Sequence, residues 1–285
     1  MSAGNAFYQQ GLARHQSGDL SAAADFYRRA VDADPVHADA LHMLGIAAFQ
    51  AGQNEAAAEV IAKAITARPV FPDAHGNLGT VLQTLGRYAE AEAAFRRAIS
   101  QAPATAAFHF NLGNLLAADE RRTEGAAAYR EALRLQPDYP EAYCNLGTAL
   151  RDDEDLKGAT IAFETAALQK PTYAEARYNL ANAYRDSGRL SDAETEIRAA
   201  LALRPTHART LNSLGVILSD QGRSPEAVEA FAAAMKHDPS YISAASNWLS
   251  AQQYVPGVTE AALAETHRQW HEAHTHGTPA APAVA

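Results

Sequence analysis

Residues 146–171 read LGTALRDDEDLKGATIAFETAALQKP, and the spacing within this stretch decides the fold. Leu146, Gly147 and Leu150 lie at the separations that form one face of a helix. The pattern breaks near Glu154 and resumes with Ala159, Phe163 and Ala166, again at helical spacing. Pro171 has no amide hydrogen to give a helix interior, so it stops the second segment. The stretch therefore predicts two helices joined by a short turn.

Outward from it, the same residues recur every 34 positions. Pro35, Pro69, Pro103, Pro137, Pro171, Pro205 and Pro239 keep the step. So do a small column (Ala30, Ala64, Ala98, Ala132, Ala166, Ala200, Ala234) and a second one (Ala23, Ala57, Ala91, Gly125, Ala159, Ala193, Ala227). A bulky column runs Tyr27, Ile61, Phe95, Tyr129, Phe163, Ile197 and Phe231. Leu44, Leu78, Leu112, Leu146, Leu180 and Leu214 form another, each followed by Gly or Ala. Small residues let two helix backbones approach, and the bulky column fills the space beside them. One such unit cannot bury its apolar face alone, so neighbours must stack. Gly86 at the break suits a left-handed helix cap, and Pro72 and Pro140 stand where a helix can start without losing a hydrogen bond.

The pattern Leu146-Gly147, Leu150, Ala159, Phe163, Ala166 and Pro171 resembles the tetratricopeptide repeat. The resemblance implies an all-α, right-handed α-solenoid (a superhelix) of helix-turn-helix units, with seven tandem repeats over residues 4–241. Two units depart from the pattern, with Glu120 and Glu154 where glycine is usual. A left-handed non-glycine residue costs about 1–2 kcal/mol, so those two turns are expected to be built differently. Gln10 and Arg14 replace usual apolar residues in the first unit, as a polar N-terminal cap would require.

Composition narrows the function. The chain has 285 residues, 47% of them apolar, enough for a sizeable core, and no run long enough to predict a membrane span. Its start lacks a basic and an apolar signal region, and Cys144 is the sole cysteine, so a cytoplasmic protein is expected. The net charge of −9 argues against nucleic acid and against an anionic membrane face, and makes basic or neutral polar partners the easier ones.

One face of each first helix carries a polar stripe. In repeat 3 it is Asp73, Asn77, Thr80 and Thr84; in repeat 4, Ala107, Asn111, Asn114 and Ala118. Repeat 5 supplies Glu141, Asn145, Thr148 and Asp152, and repeat 6 Glu175, Asn179, Asn182 and Asp186. Repeat 7 supplies Arg209, Ser213, Val216 and Asp220. The resemblance places this stripe on the concave wall. Within it runs the column Asn77, Asn111, Asn145, Asn179, Ser213 and Asn247. Asparagine costs a helix about 0.6 kcal/mol against alanine, so a column of it asks for a reason. A carboxamide both donates and accepts, and can pair with any peptide backbone whatever the side chains. The alternative is that these residues bond within or between neighbouring helices. Asp152, Asp186 and Asp220 either select Thr, Ser, Lys or Arg side chains or form a solvated charged face.

The asparagine row and the segment Tyr143-Cys144-Asn145-Leu146-Gly147 are similar to the arm of O-GlcNAc transferase and its SPINDLY-like relatives, where such a ladder holds substrate polypeptide. The leading stripe positions Asp39, Asp73, Glu141 and Glu175 disfavour the basic carboxylate clamp of chaperone-binding repeats. Residues 242–276 read as a partial eighth repeat, Ser246-Asn247-Trp248-Leu249, followed by a helix capped by Thr259, with Glu265, His267, Arg268, Trp270, His271 and His274. That helix is similar to the linker preceding the catalytic region in bacterial relatives. Residues 277–285, rich in Pro and Ala, are expected to be disordered, and no residues remain for a nucleotide-sugar site.

The expectation is therefore a non-catalytic module, needing no cofactor or metal, that binds extended or disordered polypeptide weakly. Its alternative is the substrate arm of a protein O-GlcNAc transferase, truncated or served by a separate glycosyltransferase chain. A third reading is an assembly scaffold using the convex face, although large apolar residues are scarce at the outer positions. His267, His271 and His274 share a helix face but lack a carboxylate-bearing zinc motif. Cys144 has no catalytic neighbours in sequence, and Trp248 and Trp270 read as cap packing.

Overall fold

The computed structural model describes residues 2–265 and 268. Described residues form two compact units, divided between Asp155 and Leu156. The first holds α1 (Ala3–Gln16), α2 (Leu20–Ala33), α3 (Ala38–Gln50), α4 (Asn54–Ala67) and α5 (Pro72–Thr84). It continues with α6 (Tyr88–Gln101), α7 (Ala106–Ala118), α8 (Arg122–Leu135) and α9 (Pro140–Asp152). The second holds α10 (Leu156–Gln169), α11 (Ala174–Asp186), α12 (Leu190–Leu203), α13 (Ala208–Asp220), α14 (Ser224–His237) and α15 (Ile242–Gln252). No strand occurs among the described residues. The architecture is the expected all-α solenoid of helical hairpins. Residues 277–285 and His267, Trp270, His271 and His274 lie outside the described residues.

The columns of the sequence become one recurrent packing contact. Tyr27, Ile61, Phe95, Tyr129 and Phe231 are buried on the second helix of their hairpins. Each lies over the glycine of its first helix: a Cβ on Gly79 would stand 2.7 Å from the Phe95 ring, and one on Gly215 2.5 Å from Phe231. The second helices end where proline forbids continuation. Their caps leave the helical region, with φ −141° and ψ 92° at Arg68 and φ −138° and ψ 77° at Arg204, as a following proline requires by disfavouring the α conformation. Pro72 and Pro140 open α5 and α9 as expected.

The turn inside each hairpin is a Schellman cap. At Gly86 the amide of Arg87 donates to the Leu82 carbonyl at 2.9 Å and that of Gly86 to Gln83 at 3.0 Å. Glu120 and Glu154 were expected to force a different turn, and they do not. Their φ values are 59° and 64°, and Arg121 and Asp155 still donate to Leu116 and Leu150 at 2.9 Å. The turn keeps its hydrogen bonds, and the glutamates take up the left-handed strain. Glu120→Gly is therefore expected to raise the unfolding free energy by about 1 kcal/mol in urea denaturation, less than the full 1–2 kcal/mol of strain because glycine gives the unfolded chain more freedom. A glycine variant no more stable than the parent would show the strain to be absent.

Stacking sets which face turns inward. Within the first unit α3 touches α5, α5 touches α7 and α7 touches α9; within the second, α11 touches α13 and α13 touches α15. The second helices α2, α4, α6 and α8 make no comparable contact with one another. First helices thus stand closer together, and in each unit the polar stripe they carry lies on the crowded side.

Candidate functional site

In the first unit the asparagine column is half-buried and partly tied into the protein. Asn77 on α5 donates through Nδ2 to His42 Nε2 on α3, at 2.8 Å. His42 is buried and its ring meets Phe71 edge-on at 4.7 Å. Burial lowers the His42 pKa, against a smaller upward pull from Asp73 and Asp39, so the imidazole stays neutral and keeps a lone pair for Asn77. Asn145 on α9 donates to Asn114 Oδ1 on α7 at 2.8 Å, and the same oxygen accepts the Tyr129 hydroxyl at 2.9 Å. Burial pushes that hydroxyl up to about 12, against a smaller opposing pull from Asn145, so it remains a donor.

A rule connects these contacts. Within each unit the position 35 residues before an asparagine lies on the preceding first helix, and where that residue is polar it takes the carboxamide. His42 and, in the second unit, Asn212 are polar, and they take the amides of Asn77 and Asn247, at 2.8 and 3.0 Å. For Asn145 the position holds Phe110, and the amide turns instead to Asn114. For Asn111 it holds Gly76, whose space the Phe108 ring takes, and Asn111 has no hydrogen-bond partner among the described residues. The alternative reading of the column, bonding between neighbouring helices, is thus realised at Asn77, Asn145 and Asn247. It leaves their Oδ1 atoms unused.

The remaining stripe members divide. Thr80, Thr84 and Thr148 hydroxyls donate to the carbonyls of Gly76, Thr80 and Cys144 one turn back, at 3.3, 3.0 and 3.2 Å, and their donors are spent. In the second unit Asn179, Asn182 and Ser213 are buried, and Asn182 Nδ2 donates to the Tyr178 carbonyl at 2.9 Å. Asp152 lies 3.6 Å from Arg122, and Arg185 stands between Asp186 at 2.8 Å and Asp220 at 3.9 Å. These aspartates thus face arginines of the chain itself. Asp220 and Asn247 come together in a cleft of about 520 Å³, with Val216, Ser219, Ser250 and Tyr254. Cys144 is buried. Thr259 caps the segment that follows α15, its Oγ1 accepting from the Ala262 amide at 3.2 Å.

The partners His42 and Asn212 were invisible as site residues. Their column reads His42, Gly76, Phe110, Cys144, Tyr178 and Asn212, with no recurring residue type, so a search for repeated chemistry passes over it. Among the described residues no cluster suited to a metal occurs, and no helix is long and apolar enough to cross a membrane.

A family profile described as tetratricopeptide repeat matches residues 8–72, 42–106, 77–140, 110–175 and 178–242. No curated protein matches the chain. Among solved structures it is similar to YrrB, described as a tetratricopeptide protein with an unusual peptide-binding site, at 23% identity and TM-score 0.58, over 66% of this chain and 97% of that one. PilF of Pseudomonas aeruginosa matches at 21% identity and TM-score 0.64, over 71% of this chain and 92% of that one. A chain of the Cut9–Hcn1 hetero-tetramer of APC/C matches at 18% and 0.68, over 85% of this chain and 48% of that one. These likenesses concern the fold. With the profile covering most of its length, the chain belongs to the tetratricopeptide repeat family.

Proposed function

We propose that the inner faces of the first helices hold an extended polypeptide weakly, through the carboxamides of the asparagine column. The observation that carries this reading is the orientation of Asn77 and Asn145. Each gives an N–H to the preceding helix, which fixes the side chain and leaves Oδ1 as an acceptor for a backbone amide. Asn111, with no partner, offers a whole carboxamide. Each such bond contributes about 0.5–1.5 kcal/mol net, and association costs at least about 4 kcal/mol, so binding is transient. The peptide-binding site named for YrrB agrees with this use of the fold.

The test is fluorescence anisotropy with a labelled, extended Gly/Ser/Thr/Ala peptide. Changing Asn77, Asn111 and Asn145 together to Ala should weaken binding at least about tenfold with helicity unchanged by circular dichroism. Unchanged binding would remove the groove reading and favour the scaffold.

Two further readings have an observation each. The Thr259-capped segment after α15 and the asparagine column suit the arm of an O-GlcNAc-type transferase whose catalytic part lies on another chain. On α10, Ile161 and Leu168 are 54% and 81% exposed, so the outer surface does carry large apolar residues that a scaffold partner would cover.

A further inference from the structure

Nearly every described arginine of the second unit has a carboxylate within 4 Å. Arg177, Arg185, Arg189, Arg198, Arg223 and Arg268 pair with Glu196, Asp186, Asp192, Glu194, Glu226 and Glu265. Arg204 and Arg209 are the exceptions, with no ion pair or side-chain hydrogen bond among the described residues. In a chain of net charge −9, two arginines with no carboxylate partner that line the same cavities call for an explanation. They flank the loop between α12 and α13 and, with His207, line two adjoining cavities.

The larger, about 760 Å³, adds His237 from the end of α14, Tyr241 and Asp238. Its one acid, Asp238, is tied to its own turn, Oδ1 accepting from the Ser240 amide at 3.0 Å and the Ser240 hydroxyl at 2.6 Å. His207 Nδ1 pairs with Thr210 Oγ1 at 2.7 Å, which leaves Nε2 as its free ring nitrogen. The smaller cavity, about 270 Å³, holds Tyr178, Asn179 of the asparagine column and the carboxylate of Glu175. Each cavity thus holds one carboxylate, and the larger adds His237 beside the two arginines.

We propose that this larger cavity receives an oxyanion carried by the docked polypeptide: the carboxylate of an acidic side chain, or a phosphate ester in its place. The proposal rests on the groove reading, because Asn179 of the asparagine column lines the adjoining cavity and so brings a chain lying along that column within reach of Arg204 and Arg209. Guanidinium forks bind carboxylate and phosphate through paired, charge-assisted hydrogen bonds. The overall acidity of the chain pointed to basic or neutral partners; locally the surface selects the opposite charge.

The experiment uses the full chain and a labelled Gly/Ser/Thr/Ala peptide with a central Glu-Glu, Gln-Gln or phosphoserine, at low ionic strength where screening is weak. The Glu-Glu peptide should bind at least about tenfold tighter than Gln-Gln. Arg204→Gln with Arg209→Gln should abolish that preference, both residues being exposed and helicity by circular dichroism unchanged. Phosphoserine above Glu-Glu names phosphate as the source of the oxyanion, and the reverse order names carboxylate. Equal binding of Glu-Glu and Gln-Gln, or a preference that survives the double substitution, overturns the proposal. If the Gln-Gln peptide still loses affinity in the Asn77, Asn111 and Asn145 variant, the groove reading outlives it. An acid preference dependent on Arg204 and Arg209 but blind to those asparagines would sink the groove and keep the cavity. Binding of none of the peptides overturns both.

Discussion

Phe95→Ala should lower the unfolding free energy by about 3–5 kcal/mol, the range for deleting a buried aromatic side chain. Phe95 is fully buried, and its ring occupies the space where Gly79 has no Cβ. Alanine at 95 leaves that space empty on both sides, since glycine has nothing to move into it. The same contact read from the other side predicts that Gly79→Ala is also costly. Its Cβ would fall 2.7 Å from two ring atoms and 2.9 Å from a third, and overpacking of this kind costs about 1–3 kcal/mol. Repeat 6 carries Ala181 and Ile197 at the same two positions of the period, both buried. Gly79→Ala combined with Phe95→Ile should therefore cost less than the two changes summed, by more than about 0.5 kcal/mol. Urea denaturation of the four proteins checks this. Additive costs, or a Phe95→Ala protein within about 1 kcal/mol of the parent, would mean that the ring and the glycine do not share one space.

That contact is also the part of the fold most legible in the sequence. A bulky column, a Gly-or-Ala column and a proline, all in step, leave one way to close a hairpin, and Phe95 over Gly79 is its atomic form. The turns were less legible because the strain of one residue was weighed without its surroundings. Glu120 takes a left-handed conformation that the packed helices α7 and α8 on either side impose, and Glu154 adopts the same turn. Propensity yields to tertiary context here, as it does wherever a small local cost opposes many contacts.

The candidate site was legible by residue type and not by partner. Asn77, Asn111 and Asn145 stand out because one residue recurs at a helix-unfavourable position. What each carboxamide bonds to depends on a single non-recurring neighbour: His42, Gly76 or Phe110. No period carries that information. Arg209 reads in the sequence only as one stripe member, and its pairing with Arg204 is hidden for a related reason. Arginine is frequent along this chain, and only the salt-bridge pattern of the folded second unit separates those two from the arginines whose charge is already met.

Asn114→Leu should cost about 2–3 kcal/mol, well above what an exposed helix position would show. One oxygen, Asn114 Oδ1, accepts both the Tyr129 hydroxyl and the Asn145 amide. Tyr129 is 2% exposed, so water cannot replace the acceptor, and a buried donor left without a partner costs about 1–3 kcal/mol. Asn145 is half-buried and can turn toward solvent, so its share is smaller. Tyr129→Phe in the same protein removes the orphaned hydroxyl and should restore most of the lost stability, because deleting both partners of a buried hydrogen bond is nearly neutral. Thermal or urea unfolding reads this directly, and an Asn114→Leu protein as stable as the parent would show that the shared acceptor contributes nothing. The doubly changed protein then separates folding from function. Its core is repaired, yet Asn145 still lacks the contact that aims its Oδ1, so peptide affinity should stay low while stability recovers. Affinity that returned together with stability would mean that Asn114 acts on the groove only through the fold.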